Sequence, residues 1–364
     1  MKDIFLFPYN PENTEGRIYA LWEKSGFFNP DNLPERHKIP FSITLPPPNA
    51  TGTLHVGGSL MTVIQDIIIR YKRMAGFKTL WLPGTDHAAI ATNSKVEKIL
   101  YKEEGKTRHD IGREAFVKKV EKFVAENRGA LKYQIERMGT SLDWSREAFT
   151  FDEKRNLAVR TAFKQMYDAG LIYRGTRIIN WDPKGQTTIS DDEIVYEERP
   201  AKLYTFKYSK DFPIAISTTR PETKLGDTAV AVHPNDKRFQ QYIGKTYKVD
   251  FAGASLEIKI VADESVDMAF GTGALGVTPA HSTIDTEIAK RHNLSSIQVI
   301  NEYAKICLPI PGLENEKTIS ARAKIVEWLN QEHLLIGEED IVQNVSTAER
   351  TGGIIEPLPK LQWF

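Results

Sequence analysis

The sequence predicts an α/β protein built from an incomplete, doubly wound parallel sheet and an inserted, mixed domain that is rich in β-strands. Two observations predict this architecture. Strand-like, helical and again strand-like patterns follow one another between Ile39 and Leu82. Near Glu197 the sequence pattern changes to short strand-like runs, which indicates a domain boundary. The 364 residues are enough for two or three domains, each with its own core.

The first element is a strand over Ile39 to Leu45, where apolar residues alternate until three prolines end the run. A helix is expected over Ser59 to Ala75, with Gly76 as its stop. Phe77 to Leu82 is predicted to be a second strand. This order gives a βαβ unit with parallel strands, and a ligand is expected beyond their carboxyl ends. The helix carries one apolar face, made of Leu60, Val63, Ile64, Ile67, Ile68, Tyr71 and Met74.

Later elements follow from the same periodicities. A long helix is predicted over Asp110 to Met138, with Asp110 as its N-cap, and another over about Asn156 to Ala169. Strand-like runs lie at Pro213 to Ser217, Thr228 to Val232, Thr246 to Val249 and Leu256 to Val261, and helical patterns return at Thr283 to His292 and Ala321 to Glu332.

Composition limits the function classes. The 48 basic and 48 acidic side chains cancel, so a polyanionic partner would have to be held by a local patch, and a protein without nucleic acid remains an open alternative. A single cysteine, Cys307, excludes an internal disulfide and a multi-cysteine zinc site. No leader-like N-terminus and no long apolar run is found, so we expect a cytoplasmic protein that has no membrane partner.

The first candidate site is the loop from Pro46 to Gly58, where a histidine and two glycines precede a predicted helix. Free N–H groups at a helix N-terminus attract anions, and glycine lets a phosphate approach the backbone. Most turns of this kind only connect two elements, and His55 alone fits a packed loop histidine as well as a ligand-binding one. The residues by themselves leave both interpretations open.

Longer motifs favour one of them. PPPNATGTLHVGG at Pro46 to Gly58, GTDHA at Gly84 to Ala88, Ala91-Thr92 and NWDP at Asn180 to Pro183 resemble the valyl-tRNA synthetases among the class I aminoacyl-tRNA synthetases. In class I enzymes the HIGH motif follows the first strand of a Rossmann-like domain and binds ATP. The resemblance implies that residues 1–196 are the first part of that catalytic domain, 197–346 an inserted editing domain, and 347–364 the return to the catalytic domain.

The resemblance also implies site residues. The ATP-binding set is His55, Gly57, Gly58 and Thr51. The amino-acid-binding set is Pro46, Pro47, Asn49 and Asp86, with rigid proline walls for a small branched side chain and Asp86 for the substrate ammonium group. Asp86 on its own fits a turn or cap residue equally well. The final histidine of the HIGH motif is replaced by Gly58, which removes one donor from the nucleotide site.

The second candidate site begins with the segment Thr218 to Thr223, which by composition alone fits a solvated turn. With LGDTAVAVHP at Leu225 to Pro234, AFGTG at Ala269 to Gly273 and TPAH at Thr278 to His281, it resembles the editing insertion of the valine, isoleucine and leucine enzymes. The implied editing residues are Thr218, Thr219, Arg220, Glu222, Phe270, Thr278, His281 and Asp285.

In this resemblance Asp285 pairs with the substrate ammonium group, and Arg220 is expected to face a backbone phosphate. His281 fits a packed core histidine as well as an editing residue. Two positions depart from the family pattern. Gly276 stands where a lysine is common, and Ser282 stands where a carboxylate is expected.

These implications add up to a valine–tRNA ligase activity with hydrolytic editing of threonine mischarged on tRNA(Val). ATP with Mg²⁺, valine and tRNA(Val) are the implied substrates and partners, without a protein-bound metal, and a monomer is expected for the full-length enzyme. The chain ends inside a motif, Glu349 to Phe364, without a KMSKS-like sequence, so we expect a fragment with a half-built sheet and unburied apolar faces. The alternatives are a shortened paralogue that only deacylates tRNA, and a non-catalytic interaction module.

Overall fold

The computed structural model describes residues 8–364. They divide into two compact units, of which the first ends at Ala169 and the second is Gly170–Phe364. The first seven residues, part of the N-terminus inspected for a leader peptide, lie outside the described residues. The boundary between the compact units falls earlier than the predicted domain boundary at Glu197. Among the described helices none is long and apolar enough to cross a membrane.

The first unit is α/β and contains the predicted βαβ unit. Its helices are α1 (Pro11–Ser25), α2 (Val56–Met74), α3 (Ala89–Glu104), α4 (Arg108–Ile111), α5 (Arg113–Arg137) and α6 (Glu153–Asp168). Its strands are β1 (Ile39–Thr44), β2 (Phe77–Leu82), β3 (Gly84–Thr85) and β4 (Ala148–Phe149). Strands β1 and β2 pair in parallel, with α2 between them in the chain, and β3 pairs with β4 in parallel. The predicted strands and the connecting helix are therefore confirmed, while the sheets are small.

One of the buried apolar clusters of this unit forms where α2 and α5 pack on β2. Ile69, Trp81 and Ile135 are buried there together with Leu45 and Leu142. The predicted apolar face of α2 does not take part in this core. Its seven residues are all exposed, from 39% for Ile68 to 81% for Met74.

On the other side of α2, polar side chains add contacts to those of the buried Ile69. The Trp81 indole N–H donates to Gln65 at 3.0 Å, and the Asp66 carboxylate accepts from the Ser141 backbone N–H at 3.0 Å. The apolar face of α2 is therefore exposed in the described part of the chain.

The predicted N-cap role of Asp110 for the long helix is wrong. Asp110 closes a capping box on the short helix α4, where its carboxylate accepts from the Thr107 backbone N–H at 2.7 Å. Gly112, at φ 78°, then interrupts the helical conformation between α4 and α5 and is the N-cap of α5. Glycine fits this break because it adopts positive φ without steric cost.

The second unit is rich in strands. They are β5 (Arg174–Asp182), β6 (Thr187–Ile189), β7 (Ile194–Phe206), β8 (Ile216–Thr218), β9 (Ala229–Val232), β10 (Thr246–Phe251), β11 (Ala254–Ala262), β12 (Ala274–Val277), β13 (Leu335–Ala348) and β14 (Glu356–Trp363). The helices are α7 (Thr283–His292) and α8 (Thr318–Gln331). The sheet orders are β10-β11-β9-β12, β13-β7-β8 and β14-β5-β6, and only β9 and β11 pair in parallel within them.

Strand β9 is buried on both faces and divides the interior of this unit. Val230 and Val232 belong to the larger apolar cluster, and Ala229 and Ala231 belong to a smaller one. This explains the continuous apolar run in the sequence, since a strand covered on both sides needs no polar face.

The long antiparallel pair of β7 and β13 connects positions far apart in the chain. Ile194 lies opposite Ala348, and Tyr196 lies opposite Ser346. Residues at the two ends of the predicted insertion, 197–346, are thus neighbours in one ladder. Adjacent ends are what an inserted domain requires.

Candidate functional sites

The first candidate site lies in the first unit, at the start of α2. A cavity of about 420 Å³ opens there. Among its lining residues are seven of the eight predicted for ATP and amino-acid binding, namely Pro46, Pro47, Asn49, Thr51, His55, Gly57 and Gly58. The loop between β1 and α2 supplies five of them, and the first turn of α2 supplies Gly57 and Gly58.

His55 is the N-cap residue of α2. Its Nδ1 accepts the backbone N–H of Gly58 at 3.1 Å, so the neutral ring carries its proton on Nε2. The ring is exposed, which leaves Nε2–H available to an anion at the helix N-terminus. The backbone N–H of Gly58, which stands in place of the final histidine of the HIGH motif, is thus engaged by His55.

Gly57 and Gly58 leave little room for larger side chains. A Cβ at Gly57 would lie 3.2 Å from the His55 ring, and one at Gly58 would lie 2.9 Å from Leu54 Cδ1. Glycine at these positions keeps the backbone open beside the helix N-terminus, where the first N–H groups have no partner within the helix.

Asp86 follows β3 and is held against the loop by its own backbone. Its N–H donates to the Pro48 carbonyl at 2.9 Å, and its carbonyl accepts from the Ala50 N–H at 2.8 Å. The carboxylate accepts the Thr150 hydroxyl at 2.8 Å and remains one-third exposed. The structure therefore holds Asp86 beside Pro48 and Ala50, although Asp86 does not line the cavity itself.

Two residues that support this site were not predicted. Thr150 also accepts the His87 backbone N–H at 2.9 Å, and the Gln134 side chain of α5 accepts the Leu54 N–H at 2.9 Å. Both are far from the loop in sequence, so no local pattern marks them.

The second candidate site lies in the second unit, around the carboxyl end of β8 and the segment that follows β12. The Thr218 hydroxyl accepts the Arg220 backbone N–H at 3.0 Å, Thr219 is half-buried, and Phe270 is 62% exposed. Thr278 and Asp285 are joined directly, because the Thr278 N–H donates to the Asp285 carboxylate at 2.7 Å.

Ser282, predicted as a departure, is the N-cap of α7. Its hydroxyl accepts the Asp285 backbone N–H at 3.2 Å and donates to the Asp285 carboxylate at 2.9 Å. This reciprocal arrangement fixes the carboxylate in the first turn of the helix, where the helix dipole stabilises a negative charge.

Arg220 differs from the expectation that it faces a phosphate. Its guanidinium contacts Glu356 at 2.5 Å and Glu222 at 3.4 Å, and Glu222 also accepts two hydrogen bonds from Arg322. Burial opposes the charge of Arg220, but Glu356 and Glu222 outweigh it and hold its pKa above the usual range. Arg220 and Glu222 therefore hold the segment Thr218 to Thr223 in place through ion pairs within the second unit.

His281 occupies the position of a packed core histidine, which is one of the two alternatives that the sequence left open. Its Nε2 accepts the backbone N–H groups of Val299 at 2.8 Å and Ile300 at 3.1 Å, and its Nδ1 donates to the Pro357 carbonyl at 3.1 Å. Burial, aided by the charge of Arg220, lowers its pKa to about 3. Both ring nitrogens are used by the backbone, which leaves none for a substrate.

Within the described part of the chain, no group of three or more His, Cys, Asp or Glu side chains is placed to hold a metal ion.

Comparisons with known proteins show the family of the chain. The family model for tRNA synthetases class I (I, L, M and V) matches residues 17–364. A valine–tRNA ligase of Thermotoga maritima is 45% identical over 98% of this chain and 41% of its own length. One from Halalkalibacterium halodurans is 46% identical over 98% of this chain and 40% of its own length. This chain therefore spans about 40% of the length of these relatives.

A solved structure, described as the ternary complex of Agrobacterium radiobacter K84 agnB2 LeuRS-tRNA-LeuAMS, matches with a TM-score of 0.44 at 16% identity, over 93% of this chain and 48% of that chain. The family match covers nearly the whole chain, and the two valine–tRNA ligases share almost half of its residues. The chain therefore belongs to the class I tRNA synthetases of the isoleucine, leucine, methionine and valine group.

Proposed function

We propose that this chain carries the first part of the Rossmann-like catalytic domain of a valine–tRNA ligase, together with an inserted editing domain at residues 197–346. The observation that carries the proposal is the cavity at the start of α2. Its loop joins a helix N-terminus, an exposed His55 and, through two backbone hydrogen bonds, the Asp86 carboxylate.

The first site supports activation of valine by ATP. In this reaction the valine carboxylate attacks the α-phosphorus of ATP in line, the bond to the β-phosphate oxygen breaks, and pyrophosphate leaves. The N–H groups that begin α2 and the Nε2–H of His55 stabilise the negative charge that develops on the phosphate. Asp86 pairs with the substrate ammonium group, and the prolines give rigid apolar walls to the valine side chain. Mg²⁺ enters with the triphosphate as part of the substrate.

Valine-dependent ATP–pyrophosphate exchange by this chain tests the first site. We expect valine to stimulate exchange more than isoleucine or alanine does. Asp86→Asn should remove the stimulation while the circular dichroism spectrum stays unchanged. The proposal would be contradicted by an exchange rate that is the same for all three amino acids. Valine-stimulated exchange that is unchanged in Asp86→Asn would also contradict it.

The second site supports hydrolysis of threonine from tRNA(Val). An apolar pocket rejects a hydroxyl-bearing isostere only about 10²-fold, a limit for which valyl-tRNA synthetases are a standard example, so a second, hydrolytic site is needed. The buried Asp285 carboxylate, capped by Ser282 and joined to Thr278, offers a negative partner for the ammonium group of the aminoacyl ester. Exposed Phe270 supplies a surface for the terminal adenosine.

Deacylation of Thr-tRNA(Val) tests the second site, with Val-tRNA(Val) as the matched substrate. We expect loss of threonine at least tenfold faster than loss of valine, and a strong decrease with Asp285→Asn. Deacylation without pyrophosphate exchange would favour the alternative function, a tRNA-dependent deacylase. Equal rates for both esters would contradict an editing role.

A further inference from the structure

A buried polar cluster adjoins the second site, and the proposed chemistry uses only two of its members. We call it the Lys224 cluster, and it consists of Tyr208, Lys224, Asp227, Thr278 and Asp285. Each of the five is at most 5% exposed. A lysine this deeply buried is rare unless its charge is paired.

Lys224 lies in the 3-10 helical segment Pro221–Gly226, and its ammonium group reaches the carboxyl end of β12. Its Nζ donates to the Gly276 carbonyl at 2.7 Å and to the Thr278 hydroxyl at 2.9 Å, and lies 3.4 Å from the Asp227 carboxylate. These three acceptors match the three donors of an ammonium group. The side chain is therefore fully engaged within the unit.

The contacts of Lys224 determine which hydrogen bonds Thr278 can offer. The Thr278 hydroxyl donates its single proton to Asp227 and accepts from Lys224. Its backbone N–H is donated to Asp285. Thr278 can therefore only accept a further hydrogen bond, and its orientation beside Asp285 depends on the Lys224 ammonium group.

The packing around Gly276 excludes a charged side chain at this position, so Lys224 supplies the positive charge of the cluster. A Cβ at position 276 would lie 2.5 Å from Asp227 Oδ2, 2.6 Å from the Tyr208 hydroxyl and 2.8 Å from Ile216 Cδ1. The cluster fills this space, so position 276 has no room for a side chain. The Lys224 ammonium group, which comes from the segment Pro221–Gly226, donates to the Gly276 carbonyl.

The charges of the cluster leave a negative balance at the site. Lys224 compensates one of the two carboxylates, Asp227 and Asp285, while Arg220 and Arg322 are taken up by Glu222 and Glu356. Burial raises the pKa of the Asp227 carboxyl to about 6, and the charge of Lys224 counteracts this. Asp285 is thus left with a charge that a substrate ammonium group can neutralise.

We propose that Lys224 is a positioning residue of the second site, which holds Asp227 and the Thr278 hydroxyl in place beside the Asp285 carboxylate. The inference rests on the proposed editing function. It adds a residue on the segment before β9 to the site and assigns Gly276 the role of leaving space for the cluster.

The test measures deacylation of Thr-tRNA(Val) by the whole chain and by Lys224→Met, Thr278→Val and the double variant. Lys259→Met, which removes an exposed lysine from β11, is the matched control. We expect Lys224→Met to lower kcat at least tenfold with little change in KM, and Lys259→Met to have no effect. The double variant should lose no more than Thr278→Val alone, because Lys224 acts through the Thr278 hydroxyl.

Two other results would overturn the proposal while leaving the editing function intact. One is a kcat for Lys224→Met within twofold of the unchanged chain. The other is a double variant whose loss equals the product of the two single losses, which would mean that the residues act independently.

A separate measurement decides the inference if the unchanged chain is folded but hydrolyses neither ester, in which case the proposed function fails. Amide hydrogen exchange at Thr278 then reports on the hydrogen bond to Asp285. At least tenfold faster exchange at Thr278 in Lys224→Met, with the amides of β11 unchanged, would support the positioning role. Equal exchange in both chains would overturn it.

Discussion

Gly276 is a residue whose identity is explained by the packing around it. Sequence comparison with the family marks it as a departure, and the structure explains it by the buried atoms that a side chain would meet. The reason lies in Tyr208, Asp227 and Ile216, which are distant in sequence, so the pattern around Gly276 could not reveal it.

We predict that Gly276→Ala destabilises the second unit by about 1–3 kcal/mol, because overpacking a filled interior forces its neighbours to move. Gly337→Ala is the control, since a Cβ there meets nothing within 4 Å. Urea unfolding of the two variants measures the difference. Equal stability of Gly276→Ala and the unchanged chain would show that the cluster is loosely packed.

His281 makes the folded protein sensitive to acid. Its pKa is lowered from 6.5 to about 3, so below pH 6.5 the unfolded chain binds a proton that the folded chain does not. The stability contributed by the neutral ring is therefore lost as the pH falls from about 6.5 toward 3, by at most about 1.4 kcal/mol per pH unit. Asp227 has the opposite effect, because its pKa is raised in the folded state. Its contribution to the unfolding free energy increases as the pH falls from about 6 to 3.8.

A comparison with His281→Gln isolates the histidine contribution. We expect the difference in unfolding free energy between the unchanged chain and the variant to shrink by about 2 kcal/mol between pH 7 and pH 5. Urea unfolding at both pH values measures it, with His333→Gln as the control at an exposed histidine. A difference that stays constant would mean that the His281 ring titrates normally.

At the scale of elements, an ion-pair network joins three separate segments of the second unit. Glu222 lies in the 3-10 segment, Arg322 on α8 and Glu356 on β14, and Arg220 connects Glu222 with Glu356. Glu222 is completely buried. Removing one partner from such a network leaves a buried charge without compensation.

We therefore predict that Glu222→Gln costs about 3–5 kcal/mol of unfolding free energy. Glu338→Gln, which breaks the exposed pair with Lys202 at 3.2 Å, should cost less than about 1 kcal/mol. Thermal or urea unfolding of the two variants checks this. Similar small losses in both variants would show that solvent reaches Glu222.

The elements that the sequence predicted are those with a clear periodicity. Strands β1 and β2 and helix α7 lie where the alternating and helical patterns placed them. Helix α1 was not predicted, although Ile18, Leu21 and Trp22 recur within it at helical spacing and Asn10 precedes it as the N-cap. Helix α3 has buried residues at Thr92, Val96 and Leu100, a spacing of four that could have been found.

The candidate sites were predictable to a different degree. Most of the first site comes from one continuous segment, so seven of its eight predicted residues line one cavity, while Asp86 comes from a separate segment. The second site depends on contacts between segments, and there His281 and Arg220 are held inside the unit. Lys224 has no local signal at all, since its role becomes visible only through Gly276 and Thr278.

At the scale of the whole molecule, each compact unit carries one candidate site. The first unit holds the cavity at the start of α2, and the second holds the Lys224 cluster with Asp285. The two proposed activities can therefore be measured and disabled separately. Variants at Asp86 should leave deacylation unchanged, and variants at Asp285 should leave amino-acid binding unchanged.

Calorimetric titration of the chain with a non-hydrolysable valyl-adenylate analogue tests the central claim most directly, because binding needs no turnover. We expect one binding site, affinity about 10- to 200-fold higher than for the isoleucyl analogue, and about 10- to 100-fold weaker binding by Asp86→Asn. Absence of binding by the folded chain, equal affinity for both analogues, or unchanged affinity in Asp86→Asn would contradict the assignment of this site to valine activation.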